Sequence, residues 1–110
     1  MGLTGLQEIV KEIIGSQCLA AQISSVKRLS QFYSEATANT QIFNLTAANE
    51  TTLNGGLALS SYHAAACTDD YVRTAVFIKG IHKAIVTLQL EFPKKRINVL
   101  YAGCGPYATL

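Results

Sequence analysis

The sequence predicts a mainly α-helical protein whose C-terminal part leads into the first strand of an α/β sheet. Apolar residues recur at helical spacing over several stretches before residue 92. A β-branched and apolar run at residues 97–102 is then followed directly by Gly103-Cys104-Gly105. We expect a helical segment and loop over residues 1–58. Residues 59–110 are expected to form helices, one strand and the glycine loop of an incomplete cofactor-binding domain.

The N-terminal 38 residues show the pattern of two amphipathic helices. The first helix is predicted over residues 4–14, and its apolar face is Leu6, Ile9, Val10, Ile13 and Ile14. Gly15 is a poor residue for a helix interior, and Ser16 is a suitable N-cap for a second helix that extends to about Ala38. The pattern fits either a helical hairpin or one long kinked helix.

Residues 37–56 are rich in Thr, Asn, Ala and Gly, which predicts a loop or an extended segment. A short turn is expected near residues 46–50. This segment separates the N-terminal helices from the next helical unit.

Helix signals return over residues 60–90. Ser60-Ser61 is expected to cap a short helix, and Thr68-Asp69-Asp70 offers an N-cap for a longer helix that runs to about Leu90. The longer helix is apolar almost all round, which predicts burial on several sides. Phe92-Pro93 is expected to end it, because proline lacks the N–H that a helix needs.

The composition restricts the possible partners and the compartment. A formal net charge of +2 is too small to indicate nucleic-acid binding. Only 15% of the residues are charged, so we expect a homo-oligomer that covers apolar surface. The sequence shows neither a signal peptide nor a run that spans a bilayer. Three widely spaced cysteines predict a reducing, cytoplasmic setting and no zinc site.

The glycine-rich turn after the predicted strand is the motif that indicates chemistry. Gly103 and Gly105 allow a tight turn and the close approach of backbone N–H groups to a ligand. Pro106 suits the first turn of a following helix, whose positive dipole end would add to the site. A strand followed by such a turn is typical of Rossmann-like folds that bind nucleotide-type ligands.

The run Val99-Leu100-Tyr101-Ala102-Gly103-Cys104-Gly105 resembles motif I of class I S-adenosylmethionine-dependent methyltransferases. Its usual form is Val-Leu-Asp-x-Gly-x-Gly-x-Gly, so Gly103 and Gly105 match the first two glycines. Tyr101 stands where the family usually has an acid, and Tyr107 stands where it usually has the third glycine. The resemblance implies S-adenosylmethionine as cofactor and cofactor contacts from Tyr101, Ala102, Gly103, Gly105 and Pro106.

The segment Asp70-Tyr71-Val72-Arg73-Thr74 is similar to the helix that precedes motif I in protein arginine methyltransferases and related enzymes. The resemblance implies that Arg73 contacts the carboxylate of the cofactor. A guanidinium suits this role because it can bind a carboxylate through two parallel hydrogen bonds. The alternative is an ion pair between Arg73 and Asp69 or Asp70 on the same helix.

The resemblance implies the N-terminal portion of a methyltransferase, which contributes a helical cover and part of the cofactor site. We expect no catalytic residue and no metal ligand in this chain, and no activity of the chain alone. The methyl acceptor is unknown, and its binding residues are expected beyond Leu110.

Two alternatives remain open. Gly103-x-Gly105-x-x-Ala108 also fits the fingerprint of a dinucleotide-binding oxidoreductase domain. The apolar helices alternatively form a helical dimerisation or interaction module that has no enzymatic role.

Overall fold

A computed structural model describes residues 3–37, 51–58 and 61–103, and these residues are mainly helical. The elements are α1 Leu3–Gly15, α2 Leu19–Thr37, β1 Thr51–Leu53, β2 Gly56–Ala58, α3 Ser61–Ala66, a 3₁₀ turn at Cys67–Asp69, and α4 Tyr71–Glu91. Among these described residues, no helix combines the length and the hydropathy that crossing a membrane requires.

The helices α1 and α2 form the hairpin that was one of the two predicted arrangements. The connection is Ser16–Cys18, and an ion pair between Glu12 and Arg28 links the two helices. The predicted role of Ser16 as N-cap of α2 is wrong. Its hydroxyl instead donates to the Ile13 carbonyl oxygen at 2.6 Å, so Ser16 satisfies the end of α1, and α2 begins three residues later.

One hydrophobic core joins α1, α2 and α4. Its buried side chains are Ile9, Ile13, Val26, Leu29, Ala75 and Ile78. Each helix therefore contributes two residues, at spacings of three or four positions that place them on one face. Burial of these apolar side chains is the main stabilising contribution that the three helices share.

Hydrogen bonds of residues just before α4 and in its first turn fix the start of this helix. Asp70 is the N-cap, because its carboxylate accepts a hydrogen bond from the Arg73 backbone N–H at 3.3 Å, as predicted. The buried Thr74 hydroxyl donates to the Thr68 carbonyl oxygen at 3.0 Å. Asp69 accepts from the Ser30 hydroxyl at 2.9 Å, which ties the preceding 3₁₀ turn to α2.

The helices α2 and α4 run in opposite directions. Ser30 pairs with Asp69 before α4 begins, whereas the earlier residue Lys27 lies over the Tyr71 ring at 5.6 Å in the first turn of α4. This register brings the first residue of α2 level with about residue 79 of α4. Lys79 indeed reaches the α1–α2 connection, where its Nζ donates to the Ser16 carbonyl oxygen at 2.7 Å.

The second half of α4 therefore extends past the other two helices. All the buried residues of α4 lie at or before Ile78, and large apolar side chains later in the helix are exposed, with Leu90 78% exposed. The prediction that this helix is buried on several sides is wrong. Among the described residues, the first half of α4 is covered on one side, whereas in the second half Ile81 and Ile85 are only half-buried and no side chain is fully buried.

Residues 51–58 form an antiparallel β-hairpin within the segment that was predicted to be a loop or an extended segment. Thr51 pairs with Ala58, Thr52 with Leu57 and Leu53 with Gly56, so Asn54-Gly55 is the two-residue turn. The rest of the predicted loop, including the turn expected at residues 46–50, lies outside the described residues.

The helix α4 ends where the sequence predicts. The Phe92 N–H donates to the Leu88 carbonyl oxygen at 2.8 Å, and the Lys95 N–H donates to the Phe92 carbonyl oxygen at 3.0 Å in the turn that follows. The prediction of a strand at residues 97–102 is wrong, because these residues form no hydrogen-bonded pairing with another described strand. A strand needs a partner for its N–H and C=O groups, and no described strand pairs with this segment.

Candidate functional site

Arg73 lies in the first turn of α4, directly after the Asp70 cap. Its side chain is exposed, and its guanidinium carbon lies 5.9 Å from the centroid of the Phe77 ring one turn later. This cation–π contact steadies the guanidinium without using its hydrogen-bond donors on an anion. The N–H groups of the Arg73 guanidinium therefore remain available to bind the carboxylate of a ligand.

The alternative ion pair between Arg73 and Asp69 or Asp70 does not form. Within the described residues, the one ion pair joins Arg28 and Glu12. The two aspartates have other partners, because Asp69 accepts from Ser30 and Asp70 accepts from the Arg73 backbone. Of the two predicted roles for Arg73, an intramolecular ion pair is thus not supported.

Tyr101 lies close to Tyr33, near the end of α2. Burial raises the pKa of the Tyr33 hydroxyl, and the negative charge that Tyr101 can carry raises it further. Tyr33 also packs edge to face on Phe32, with ring centroids 5.8 Å apart. The segment after α4 therefore comes within electrostatic range of the end of α2.

Gly103 has a backbone conformation that favours glycine. Its φ is +84°, in the left-handed region where side chains other than glycine are strained. A Cβ atom built there would meet no heavy atom within 4 Å, so conformation rather than crowding favours glycine at this position. Ala102 next to it is exposed, and Gly105 and Pro106 lie outside the described residues.

These contacts bring two predicted parts of the site to the same end of the helical bundle. Tyr33 lies one turn beyond Ser30, the residue that pairs with the start of α4. Because Tyr101 lies within electrostatic range of Tyr33, the segment that leads to Gly103 lies near the end of the bundle at which α4 begins and Arg73 is exposed. Sequence reasoning did not single out Tyr33 as a contact of this segment, since only the return of the chain creates the pairing.

The remaining chemistry of the described residues is sparse. No three His, Cys, Asp or Glu side chains among them converge in a way that could hold a metal ion. Cys18 and Cys67 are exposed and form no disulfide within the described part of the chain. No protein-family model, curated protein or solved structure matches this chain.

Proposed function

We propose that this chain is the N-terminal portion of a class I S-adenosylmethionine-dependent methyltransferase. In this proposal the bundle of α1, α2 and α4 covers the cofactor, and Arg73 with residues 101–103 contributes the first part of its site. The observation that supports the proposal is that Tyr101, two residues before the left-handed Gly103, lies within electrostatic range of Tyr33, at the end of the bundle where Arg73 is exposed.

The chemistry of these groups suits the amino-acid end of the cofactor. The Arg73 guanidinium has no carboxylate partner among the described residues, and it can hold a carboxylate through two parallel hydrogen bonds. Successive backbone N–H groups around a left-handed residue can form a concave site that donates to an anionic or polar ligand, and Gly103 is such a residue. Methyl transfer itself depends mostly on positioning, which agrees with a chain that supplies binding groups and no catalytic residue.

The test is a titration of the chain with S-adenosylmethionine, followed by NMR of the backbone amides. We expect shifts of the Arg73 and Gly103 amides, and we expect Arg73→Ala to weaken binding by about tenfold to a hundredfold, as loss of a charge-assisted pair does. Arg28→Ala is the matched control, because it removes another exposed arginine at a different place on the bundle.

Decarboxylated S-adenosylmethionine assigns the contact to the carboxylate. If Arg73 holds that group, wild type and Arg73→Ala bind the decarboxylated compound equally well. Equal weakening of both compounds would place the contact elsewhere on the cofactor. The absence of any shift at millimolar S-adenosylmethionine would refute the proposal, and saturation by a nicotinamide dinucleotide instead would favour the oxidoreductase alternative.

A further inference from the structure

The side of α4 that faces away from the bundle is an exposed apolar surface. A positively charged residue lies at one end of this surface and a negatively charged residue at the other. Its large apolar side chains are Val76, Phe77 and Leu88, which are 61%, 49% and 40% exposed. Gly80 and Ala84 lie between them and are also exposed. We call these five residues the outer face of α4.

The positions of the outer face lie on one side of the helix. Phe77, Gly80, Ala84 and Leu88 follow one another at spacings of three or four residues, the spacing that keeps residues in line. The buried residues Ala75 and Ile78 belong to the opposite side. The outer face therefore stays uncovered when α4 packs against α1 and α2.

Two charges bound the outer face, and their spacing is informative. Arg73 and Glu91 are eighteen residues apart, which is about five helical turns, so they lie on the same line along the helix. They are separated by about 27 Å along the axis and cannot pair within one chain. Lys79, which lies between them in sequence, points instead to the α1–α2 connection, where it binds Ser16.

We propose that the outer face is a docking surface for a second copy of this chain, with the two α4 helices packed antiparallel. A two-fold axis midway between Arg73 and Glu91 puts each arginine opposite the glutamate of the partner. In the same register Gly80 meets Ala84 of the partner, and Val76 meets its Leu88. The arrangement is isologous and closes on itself, as two-fold interfaces do.

Charge complementarity favours a second copy of this chain as the partner and an antiparallel orientation of the two α4 helices. In a parallel pair Arg73 would face Arg73, Glu91 would face Glu91, and the two Lys94-Lys95-Arg96 clusters would lie side by side. In the antiparallel pair, each of these repulsions between like charges is replaced by an attraction between opposite charges. It also brings Asp69 and Asp70 of one copy level with the Lys94-Lys95-Arg96 cluster of the other, which a parallel pair does not achieve.

The residues at the middle of the outer face permit a close approach. Gly80 has no heavy atom within 4 Å of the position where a Cβ would lie, so the helix backbone is open to a neighbour there. Helix pairs approach to distances that the side chains at the crossing determine. With Gly80 against Ala84, the larger Phe77 and Leu88 side chains can pack around the crossing, where they are buried from solvent.

Sedimentation equilibrium of the full chain across micromolar to millimolar concentrations tests the proposal. Wild type is expected to form a reversible dimer. Gly80→Leu is the sharpest variant, because leucine favours the helix more than glycine but blocks the close crossing. We expect it to raise or keep Tm while it weakens dimerisation by at least about tenfold, whereas a purely structural role for Gly80 predicts no change in association.

Ala84→Glu provides a second variant with little effect on helix propensity, and Leu90→Glu is its matched control. Leu90 is 78% exposed but projects to another side of α4, so its variant is expected to dimerise like wild type. A wild type that stays monomeric at every concentration overturns the proposal. So does a Leu90→Glu variant that dissociates as strongly as Ala84→Glu, because the interface would then lie elsewhere.

A charge swap tests the register. Glu91→Arg places like charges together at both ends of the pair, and at low salt it is expected to weaken dimerisation by about tenfold. Adding Arg73→Glu to that variant restores the dimer if the two residues meet across the two-fold axis. A double variant that remains as weak as Glu91→Arg overturns the antiparallel register. In this dimer the partner's Glu91 occupies the same guanidinium that is proposed to hold the cofactor carboxylate, so association is measured without ligand and cofactor binding is expected to compete with it.

Discussion

The two halves of α4 differ in burial although both contain many apolar residues. Residues 71–78 supply Ala75 and Ile78 to the core, whereas residues 79–91 have no buried side chain. The difference follows from the register of the neighbouring helices. Because α2 begins at Leu19, which is level with about residue 79 of α4, none of the described helices lies beside the second half. Apolar composition thus indicates which residues can be buried, and the neighbours decide which are.

The largest test of this comparison is truncation of one large apolar residue in each half. Ile78→Ala removes buried apolar volume from the core and is expected to lower the free energy of unfolding by about 2–4 kcal/mol. Leu90→Ala removes a side chain that is 78% exposed and is expected to change the free energy of unfolding by no more than about 0.5 kcal/mol. Urea denaturation measures both, and similar losses would show that the second half is covered in solution.

The junction between the halves can be weakened through Lys79. Its Nζ donates to the Ser16 carbonyl oxygen at 2.7 Å, and the bond is partly buried. Lys79→Ala is expected to lower the free energy of unfolding by about 1–2 kcal/mol, because a charged donor is lost and a carbonyl at the end of α1 loses its partner. Lys83→Ala one turn later is the control and should be nearly neutral.

A smaller effect is expected at the start of the packed half. Asp70→Ala removes the acceptor for the Arg73 N–H and should lower the free energy of unfolding by about 1 kcal/mol. Asp70→Asn keeps an acceptor in the same place and should cost only a few tenths of a kcal/mol. Thermal unfolding followed by circular dichroism separates the two, and equal losses would mean that the charge rather than the cap matters.

Local signals in the sequence were sufficient for the helices. The spacing of Ile9 and Ile13, the Asp70 cap and the stop at Phe92-Pro93 each depend on neighbours within one or two turns. The hairpin at residues 51–58 carried a local signal as well. Asn54-Gly55 is a favoured two-residue β-turn, although the prediction treated it as part of a loop.

Long-range relations could not be predicted in the same way. The burial of α4 depends on where α1 and α2 end beside it, which a pattern on α4 alone does not contain. The strand predicted at Ile97–Ala102 failed for a related reason, since β-propensity does not provide a pairing partner. For the site, Gly103 could be predicted from conformational need. The proximity of Tyr101 to Tyr33 could not, because it depends on the return of the chain along α4.

The electrostatic influence of Tyr101 on Tyr33 links the segment after α4 to α2 more weakly than the contacts above link the helices. The pH dependence of stability tests it. The pKa of Tyr33 is raised above the ordinary value of 10.0, first by burial and then by Tyr101. The folded state therefore holds the Tyr33 proton more tightly than the unfolded chain does. Below about pH 10 both states are protonated and stability is unaffected by this group, while above it the unfolded state ionises first and stability falls.

Lysines also lose their charge in this range, so the informative quantity is the difference between variants. Tyr33→Phe should flatten the fall in stability above about pH 10, and Tyr101→Phe should flatten it by a smaller amount, because it leaves the burial of Tyr33 in place. Urea denaturation at closely spaced pH values gives both slopes. If Tyr101→Phe left the slope of wild type unchanged, the segment after α4 would not return to α2 in solution. Nothing would then place Gly103 at the end of the bundle where Arg73 is exposed.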